Sequence, residues 1–131
     1  PPPARLQSWQ PEIATLFESL HPAQVIANLA RATGPAARRA RDLIARNAPM
    51  AMACALAIQQ RLAPDSTVTA ALDLEYRYTH RAMQQGDFLE GIRAAIIDKD
   101  RAPNWRHATL ADVTDEEVAA MLAPVEAKER Q

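Results

Sequence analysis

The sequence predicts an all-α protein with about six to seven helices. Apolar residues make up 48% of the 131 residues, yet aromatic residues make up only 5% and glycines number three. An alanine-rich, aromatic-poor composition is typical of closely packed helices, because strands favour β-branched and aromatic residues. No segment alternates strictly between apolar and polar residues, and prolines and capping residues divide the chain into helix-length segments. A chain of this length can bury one hydrophobic core.

The N-terminal segment, residues 1–10, is expected to be a linker or the cut end of a longer chain. Pro1, Pro2 and Pro3 favour extended polyproline II structure. The segment also lacks the basic and apolar regions of a signal peptide. The helical domain is then expected over residues 11–123, and the charged tail over residues 124–131 is expected to fray.

Three helices are predicted in the first half of the chain. Proline suits the first position of a helix, where its missing N–H would have no partner, so Pro11 and Pro22 each mark a start. Thr33-Gly34-Pro35 should stop the second helix. Apolar residues recur at helical spacing within residues 11–20, 22–32 and 36–46.

Four further helices are predicted in the second half, over residues 49–62, 68–85, 88–97 and 115–122. The first of these is apolar on nearly every side, so it should lie at the centre of the packing. Asp65-Ser66-Thr67 supplies capping oxygens for the next helix, and Gly86 should end it with a left-handed turn. Asp87 should cap the helix that follows, and Thr114-Asp115-Glu116-Glu117 forms a capping box.

Charge and composition exclude several classes of function. The net charge is -1, which gives no overall attraction to nucleic acid or to an anionic membrane. No apolar run approaches the roughly 20 residues that span a bilayer. Cys54 is the only cysteine, which fits a reducing compartment and a cytoplasmic location. The histidines are far apart, so no metal site is predicted.

One ionisable residue of the longest helix, Glu75, falls within an apolar stripe. The stripe comprises Val68, Leu72, Tyr76, Thr79 and Met83. A buried carboxylate needs a partner or a raised pKa, so Glu75 is either a general acid or base or, preferably, part of a buried ion pair with Arg93. Asp73 and Arg77 are spaced for a second ion pair along one helix face.

The arginines cluster in one region, at positions 31, 38, 39, 41 and 46. They could contact an anion, either the phosphates of a cofactor or RNA. Arg38, Arg39 and Arg41 nevertheless lie opposite the apolar stripe, and the cluster lacks the aromatic residues on which bases stack. A solvated helix face is therefore the preferred interpretation.

The two tryptophans are predicted to be packing anchors. Trp105 follows Pro103 and should fix an extended segment against a helix or a partner. Trp9 should do the same against a part of the protein that precedes this chain.

Four short segments of the sequence resemble the C-terminal region of the 3-hydroxyisobutyryl-CoA hydrolases, a branch of the enoyl-CoA hydratase/isomerase (crotonase) superfamily. The segments are Leu74-Glu75-Tyr76-Arg77, Asp87-Phe88-Leu89-Glu90-Gly91-Ile92-Arg93-Ala94, Ile97-Asp98-Lys99-Asp100 and Pro103-Asn104-Trp105. The similarity is strongest over residues 47–118. It implies an all-α C-terminal domain without the α/β catalytic core of the parent enzyme.

The resemblance implies a supporting function for this domain. In the superfamily these helices cover the acyl pocket, pack on the core and form subunit contacts, so the expected partners are the N-terminal core, further copies of the chain and an acyl-CoA substrate. No catalytic residue is carried over, the domain alone is expected to be inactive, and coenzyme A enters only as part of the substrate. Lys99 resembles a lysine that contacts coenzyme A phosphates in related enzymes, although its register differs and Asp98 and Asp100 flank it.

The parent activity implied by the resemblance is hydrolysis of an acyl-CoA thioester in valine catabolism. The alternatives are a stand-alone helical interaction module, an enoyl-CoA hydratase/isomerase of different acyl specificity, and a nucleic-acid-binding domain that uses the arginine cluster. A domain separated from its core should expose an apolar patch and associate with itself.

Overall fold

The computed structural model of the protein describes residues 5–125. Helices joined by loops, with no strand, make up this range, so the predicted all-α class is confirmed. Seven α-helices fall within it, joined by a π-helical turn that continues the sixth and by one 3₁₀ turn. They are α1 (Arg5–Leu16), α2 (Pro22–Arg31), α3 (Pro35–Ile44), α4 (Pro49–Arg61), α5 (Val68–Gln85), α6 (Phe88–Ile92), the π-helix (Arg93–Ile97), the 3₁₀ turn (Leu110–Asp112) and α7 (Asp115–Met121). Pro1–Pro3 and residues 126–131 of the predicted tail lie outside the described residues.

The first helix starts earlier than its sequence suggests. We expected a start at Pro11, but α1 begins at Arg5, so Pro11 lies inside the helix and residues 5–10 are not a linker. An internal proline removes one backbone hydrogen bond and crowds the preceding turn. Packing compensates for this cost, because Trp9 and Ile13 lie against the buried cluster around Leu16.

Proline occupies the first turn of three helices, as predicted for Pro22 and Pro49, whereas Pro35 was expected only to stop the helix before it. Pro22, Pro35 and Pro49 each occupy the first turn of α2, α3 and α4. The start of α3 is also capped from α1, since the Glu12 carboxylate accepts hydrogen bonds from the backbone N–H groups of Ala36 and Ala37 at 3.1 and 3.0 Å.

Glycine is required where α1 meets α3. A Cβ atom on Gly34 would lie 2.0 Å from a carboxylate oxygen of Glu12. The Glu12 carboxylate can therefore cap α3 only because Gly34 has no side chain in its place.

The core consists of two buried clusters joined at α4. Helices α1, α2 and α3 surround Leu16, Val25, Leu29, Ala36 and Ala37. The second cluster lies between α4, α7 and the 3₁₀ turn and contains Met50, Ala53, Cys54, Ile58, Leu110, Val118, Met121 and Leu122. Leu56 of α4 packs against both clusters. The predicted central position of α4 is therefore confirmed.

Two predictions for the α5–α6 junction are wrong. Gly86 ends α5 in an extended conformation (φ -110°, ψ -170°), so no left-handed turn forms there. Asp87 does not cap α6 with its side chain. Its buried carboxylate instead accepts a hydrogen bond at 2.8 Å from the backbone N–H of Arg106. Asp87 thus ties the segment after the π-helix back to the start of α6.

Candidate functional site

The apolar stripe of α5 faces outward, contrary to our expectation. Val68, Leu72, Tyr76 and Met83 are 75%, 62%, 41% and 56% exposed, and we call these four residues the α5 stripe. Glu75 is also exposed. The prediction that Glu75 is buried in the core is therefore wrong. An apolar surface of this kind commonly marks an interaction site.

The opposite side of α5 faces the rest of the chain. Leu74 and Tyr78 pack against the second cluster, and two arginines contact the segment that follows α7. Arg81 donates hydrogen bonds to the carbonyls of Ala123 and Pro124 at 2.7 and 3.2 Å. Arg77 donates to the carbonyl of Leu122, the C-cap residue of α7, at 3.4 Å. These arginines therefore hold the end of α7 and the residues after it against α5.

The expected pair between Asp73 and Arg77 is present in α5. The Nε atom of Arg77 lies 2.9 Å from the carboxylate of Asp73. This pair orients Arg77 towards α7. Three of the four residues predicted to form ion pairs (Asp73, Arg77 and Arg93) do form them, but the partner of Arg93 is not Glu75.

Arg93 instead organises the loop after the π-helix. Its guanidinium lies 2.8 Å from Glu90, 2.6 Å from Asp98 and 2.8 Å from Asp100. It also donates to the carbonyl of Ala102 at 3.2 Å. Hydrogen bonding to Arg93 and to the backbone N–H of Asn104 lowers the pKa of Glu90 to about 2. The pKa of Asp100 is lowered by the backbone N–H of Ala102 and by Arg93.

The Arg93 network determines how Lys99 is displayed. Lys99 adopts a left-handed backbone conformation (φ 57°) between Asp98 and Asp100. Because both flanking carboxylates bond to Arg93, neither forms an ion pair with Lys99 among the described contacts. Lys99 is exposed at the end of this loop. The single guanidinium of Arg93 is shared by Glu90, Asp98 and Asp100, so the surroundings of Lys99 keep a net negative charge.

Most arginines of the α2–α3 cluster hold backbone turns. Arg41 donates to the carbonyls of Leu29 and Ala32 at the end of α2. Arg38 donates to the carbonyl of Thr33. These contacts favour a structural interpretation of Arg38 and Arg41 and leave fewer guanidinium N–H groups for a ligand.

Residues that could support nucleophilic or metal chemistry do not converge in the described part of the chain. Burial raises the pKa of the Cys54 thiol to about 12, which makes it a poor nucleophile. His107 lies 3.1 Å from the Glu117 carboxylate, whereas His21 approaches Asp115 only to 4.0 Å. Residues 5–125 hold no group of three or more potential metal ligands of the His, Cys, Asp and Glu types.

Both tryptophans contact the body of this chain. Trp105 donates from its indole N–H to the carbonyl of Arg46 at 3.2 Å, and its ring would lie 3.5 Å from a Cβ atom on Gly91. It therefore fixes the extended segment against the α3–α4 turn and α6. Trp9 packs against the first cluster, so at least part of its surface is covered by α1–α3 rather than by another part of the protein.

A second group of exposed apolar residues lies beyond the α5 stripe. Phe88 and Leu89 of α6 are 52% and 54% exposed, and Ile96 and Ile97 of the π-helix are 63% and 68% exposed. Within residues 5–125, no helix is both long and apolar enough to cross a membrane.

The sequence is similar to proteins of the enoyl-CoA hydratase/isomerase family along most of its length. The family model for enoyl-CoA hydratase/isomerase matches residues 1–122. The mitochondrial 3-hydroxyisobutyryl-CoA hydrolase of Mus musculus is 36% identical over 107 residues, which are 82% of this chain and 28% of that protein. The chain thus spans less than a third of this relative.

Two solved structures resemble the chain closely. A crystal structure of an enoyl-CoA hydratase from Rhodobacter sphaeroides 2.4.1 matches with a TM-score of 0.89 and 50% identity, covering 95% of this chain and 37% of that one. A carnitinyl-CoA dehydratase from Mycobacterium thermoresistibile matches with a TM-score of 0.83 and 35% identity, covering 97% and 36% of the two chains.

Proposed function

The chain belongs to the enoyl-CoA hydratase/isomerase family, and we propose that it forms the helical C-terminal part of an acyl-CoA thioester hydrolase similar to 3-hydroxyisobutyryl-CoA hydrolase. In this proposal it packs on an N-terminal catalytic core and completes the acyl-CoA pocket. The sequence segments between Asp87 and Trp105, which resemble the C-terminal region of those hydrolases, support this assignment to the C-terminal part of the enzyme.

The observation that carries the proposal is the exposed α5 stripe. Val68, Leu72 and Met83 are each more than half exposed, although their spacing is that of a helix face that packs on a neighbour. Burying such side chains removes apolar area from water and stabilises an assembly. We infer that the catalytic core covers this stripe. The exposed apolar residues of α6 and the π-helix extend the same role to contacts between subunits.

The chemistry would take place in the N-terminal core. The resemblance implies that two backbone N–H groups of that core form an oxyanion hole, which stabilises the charge that develops on the thioester carbonyl. The chain alone would then be inactive. This agrees with the buried, weakly acidic Cys54 and with the separation of the histidines.

Lys99 is proposed to contact the phosphates of coenzyme A. Its exposure at the end of the loop supports this role. We also propose that the protein forms homo-oligomers and acts in the cytoplasm. The single cysteine is compatible with a reducing compartment.

One alternative has specific support. The Rhodobacter sphaeroides protein that is 50% identical to this chain is described as an enoyl-CoA hydratase, so the parent enzyme could hydrate an enoyl-CoA instead of hydrolysing a thioester. A stand-alone interaction module would also use the α5 stripe. All of these candidates use the α5 stripe as a contact surface. They differ in whether the assembled protein hydrolyses a thioester, hydrates an enoyl-CoA or catalyses no reaction.

A chimaeric enzyme tests the proposal. This chain would replace the matching 37% of the Rhodobacter sphaeroides protein, and the product would be assayed for thiol release from 3-hydroxyisobutyryl-CoA and for hydration of crotonyl-CoA. Because the core carries the chemistry, the reaction of the chimaera is that of the Rhodobacter sphaeroides core, and what this chain supplies is the completed pocket. We expect the chimaera to regain the activity that this core loses when its own C-terminal part is removed. A folded chimaera that is as inactive as the core alone would contradict the proposal.

The role of the α5 stripe is tested in the same chimaera. Leu72→Asp places a charge in the proposed interface and should lower activity and assembly by roughly tenfold or more. Gln84→Asp adds the same charge at an exposed position of α5 outside the stripe and serves as the matched control. Equal activity and assembly of the two variants would contradict the proposed packing.

A further inference from the structure

One carboxylate of the described chain is buried without an ion-pair partner. Among the residues that the structure describes, Asp87 is the one buried residue with a charged or polar side chain, at 6% exposed. Its Oδ1 atom accepts the hydrogen bond from the Arg106 N–H at 2.8 Å, whereas its Oδ2 atom has no hydrogen-bond partner within the described residues. A buried charge is costly unless a partner compensates it. Asp87 thus has one oxygen that is free to accept a hydrogen bond from another molecule.

Asp87 lines a cavity of about 280 Å³ between the start of α4, the middle of α5 and α6. It is the one charged residue among the described residues that line this cavity. Most of the remaining wall is apolar, and Ala48, Ala51, Ile92 and Ile96 contribute to it. Pockets for drug-sized ligands enclose roughly 300–1,000 Å³, so this cavity suits a short side chain or a small molecule.

Aromatic residues are concentrated around this cavity. The chain has two tryptophans, two tyrosines and two phenylalanines, and one of each kind (Tyr78, Phe88 and Trp105) lines the cavity. Trp105 is held in place because its indole N–H donates to the carbonyl of Arg46 at 3.2 Å. The electrons of an aromatic ring attract a cation over its face, so aromatic residues beside a carboxylate are typical of sites for organic cations.

The hydroxyl group of Tyr78 stays protonated, so the charge of the cavity wall is that of Asp87 alone. Burial raises the pKa of Tyr78, and the negative charges of the Cys54 thiolate and of Asp87 act in the same direction. Tyr78 also lines a smaller adjoining cavity of about 200 Å³, in which Glu75 is the one charged residue among those described. Both cavities therefore have acidic walls.

The basic residues around α6 do not neutralise Asp87. Arg106 donates its backbone N–H to Asp87, but its guanidinium donates to the carbonyl of Gln85 at 3.1 Å and does not line the cavity. The guanidinium of Arg93 is shared by three other carboxylates, and this residue does not line the cavity either. A cation from outside the chain would therefore find an unpaired carboxylate in the cavity.

Access to the Asp87 carboxylate depends on the outer wall of the cavity. The Oδ2 atom is covered, so a ligand reaches it only when a neighbouring side chain moves. Phe88 and Ile96 line the cavity and are 52% and 63% exposed, which gives both side chains room to turn outward. Rotamer changes of exposed side chains are fast.

We propose that this cavity binds an organic cation on a short apolar stem, with its ammonium or guanidinium group on Asp87 and its stem against Phe88 and Trp105. The charged group could belong to a free alkylamine or to a lysine or arginine side chain of a polypeptide that packs on α6. Both sources present the same chemistry to the cavity. Binding itself does not depend on the proposed hydrolase activity.

Titration of the chain with n-butylammonium chloride and with 1-butanol, at constant ionic strength, tests the cavity. The two probes share an apolar stem and differ in charge. Trp105 fluorescence in a Trp9→Phe background reports binding at the cavity wall. We expect n-butylammonium to bind roughly tenfold more tightly than 1-butanol, because only the cation pairs with Asp87. Equal affinity for the two probes, or no binding of n-butylammonium, would overturn the proposal.

Asp87→Asn is the decisive variant. Asparagine keeps an oxygen for the Arg106 N–H and removes the charge, so the dissociation constant of n-butylammonium should rise roughly tenfold while that of 1-butanol stays the same. A purely structural role of Asp87 would change both constants alike.

A second variant and a control keep the test independent of the stability of Asp87→Asn. Phe88→Leu removes an aromatic ring at a half-exposed position and should weaken n-butylammonium binding more than 1-butanol binding. Asp65→Asn removes the same charge as Asp87→Asn from an exposed position outside the cavity and should leave binding unchanged. Equal n-butylammonium affinity of Asp65→Asn and Asp87→Asn would contradict the proposal.

Calorimetric titration of the chimaera distinguishes the two sources of the cation. Loss of n-butylammonium binding in the chimaera, with weaker assembly of its Asp87→Asn variant, would identify a basic side chain of the catalytic core. Binding as tight as that of the chain alone would identify a free amine. A folded but inactive chimaera would count against the proposed function alone, because titration of the chain requires no turnover.

Discussion

Helices α4 and α5 are both rich in apolar residues, yet α5 keeps an apolar stripe that the described part of this chain does not cover. Met50, Cys54 and Ile58 of α4 are at most 6% exposed, whereas Val68 and Leu72 of α5 are 75% and 62% exposed. Helix α4 is covered by α5, α7 and the 3₁₀ turn. The contrast shows that apolar periodicity predicts which face will be covered, but not whether the same chain covers it.

The reason for the difference lies in the opposite side of α5. Leu74 and Tyr78 on that side pack against the second cluster, and Ala82 is buried. Arg77 and Arg81 also reach carbonyls at the end of α7 and just after it, so this side of α5 faces inward. The apolar stripe is thereby turned away from α4.

Thiol reactivity should show the largest difference between the two helices. With its pKa raised to about 12, Cys54 should have roughly a thousandfold less thiolate at pH 8 than an unperturbed thiol. A Leu72→Cys thiol in a Cys54→Ala background is exposed and should react at an ordinary rate. Reaction with a disulfide reagent, followed by absorbance, compares the two. Similar rates would show that α4 opens readily in solution.

Shortening a side chain should lower the free energy of unfolding much more in α4 than in α5. Met50→Ala should lower the free energy of unfolding by about 2–5 kcal/mol, because it removes buried contacts and leaves a cavity. Leu72→Ala should change it by less than about 0.5 kcal/mol, because little is lost at an exposed position. Urea denaturation of both variants provides the measurement.

The same pair of variants sharpens the comparison in the chimaera. If the catalytic core covers the α5 stripe, Leu72→Ala should become destabilising there by about 1–3 kcal/mol. A cost that stays near zero in the chimaera would mean that the stripe remains exposed to solvent.

Much of the helical framework could be predicted because its signals are local. Prolines at first-turn positions marked α2 and α4, and the Thr114–Glu117 capping box forms with both of its hydrogen bonds. The start of α1 was wrong because Trp9 packs on a cluster formed by α2 and α3, which outweighs the cost of an internal proline. Local pattern cannot reveal such contacts.

The candidate site was less predictable for the same reason. Arg93 bonds to Asp98 and Asp100 only because the chain turns back after the π-helix. One groove, between the end of α3 and the segment over residues 101–108, is lined both by Arg46 and by Arg101 and Arg106, more than fifty positions later in the sequence. Its one signal was an arginine on either side of Pro103-Asn104-Trp105, which sequence analysis interpreted only as an anchor.

Acid should loosen the α6–Trp105 region before it affects α4. Glu90 has a pKa lowered from 4.5 to about 2 in the folded protein, so the stability it contributes is present above pH 4.5 and is lost as the pH falls towards 2. Only Ala94 is buried in the π-helix, so apolar packing there cannot replace the ionic contacts.

Fluorescence of Trp105 can follow this acid transition in a Trp9→Phe variant, in which Trp105 is the one remaining tryptophan. The Glu90→Gln variant, which lacks the titrating carboxylate, should lose most of the change between pH 4.5 and pH 2. Retention of the full change in Glu90→Gln would assign the acid transition to other groups. Loss of α4 helicity at the same pH would mean that the two regions unfold together.

The smallest effect should come from the cap of α7, the helix that covers α4. The hydroxyl of Thr114 accepts a hydrogen bond from the Glu117 N–H at 3.2 Å, so Thr114→Ala should cost about 1 kcal/mol in the free energy of unfolding. Thr114→Ser keeps the acceptor and should restore most of it, and Thr69→Ala at an exposed position of α5 is the control.

The cap also tests whether the two helices are covered independently. Because Val118, Met121 and Leu122 pack on α4, weakening α7 should raise the labelling rate of Cys54 through more frequent opening. The rate for a thiol at position 72 should not change, since nothing in the described chain covers the α5 stripe. A parallel rise at both positions would contradict this, because α7 would then also restrict access to the α5 stripe.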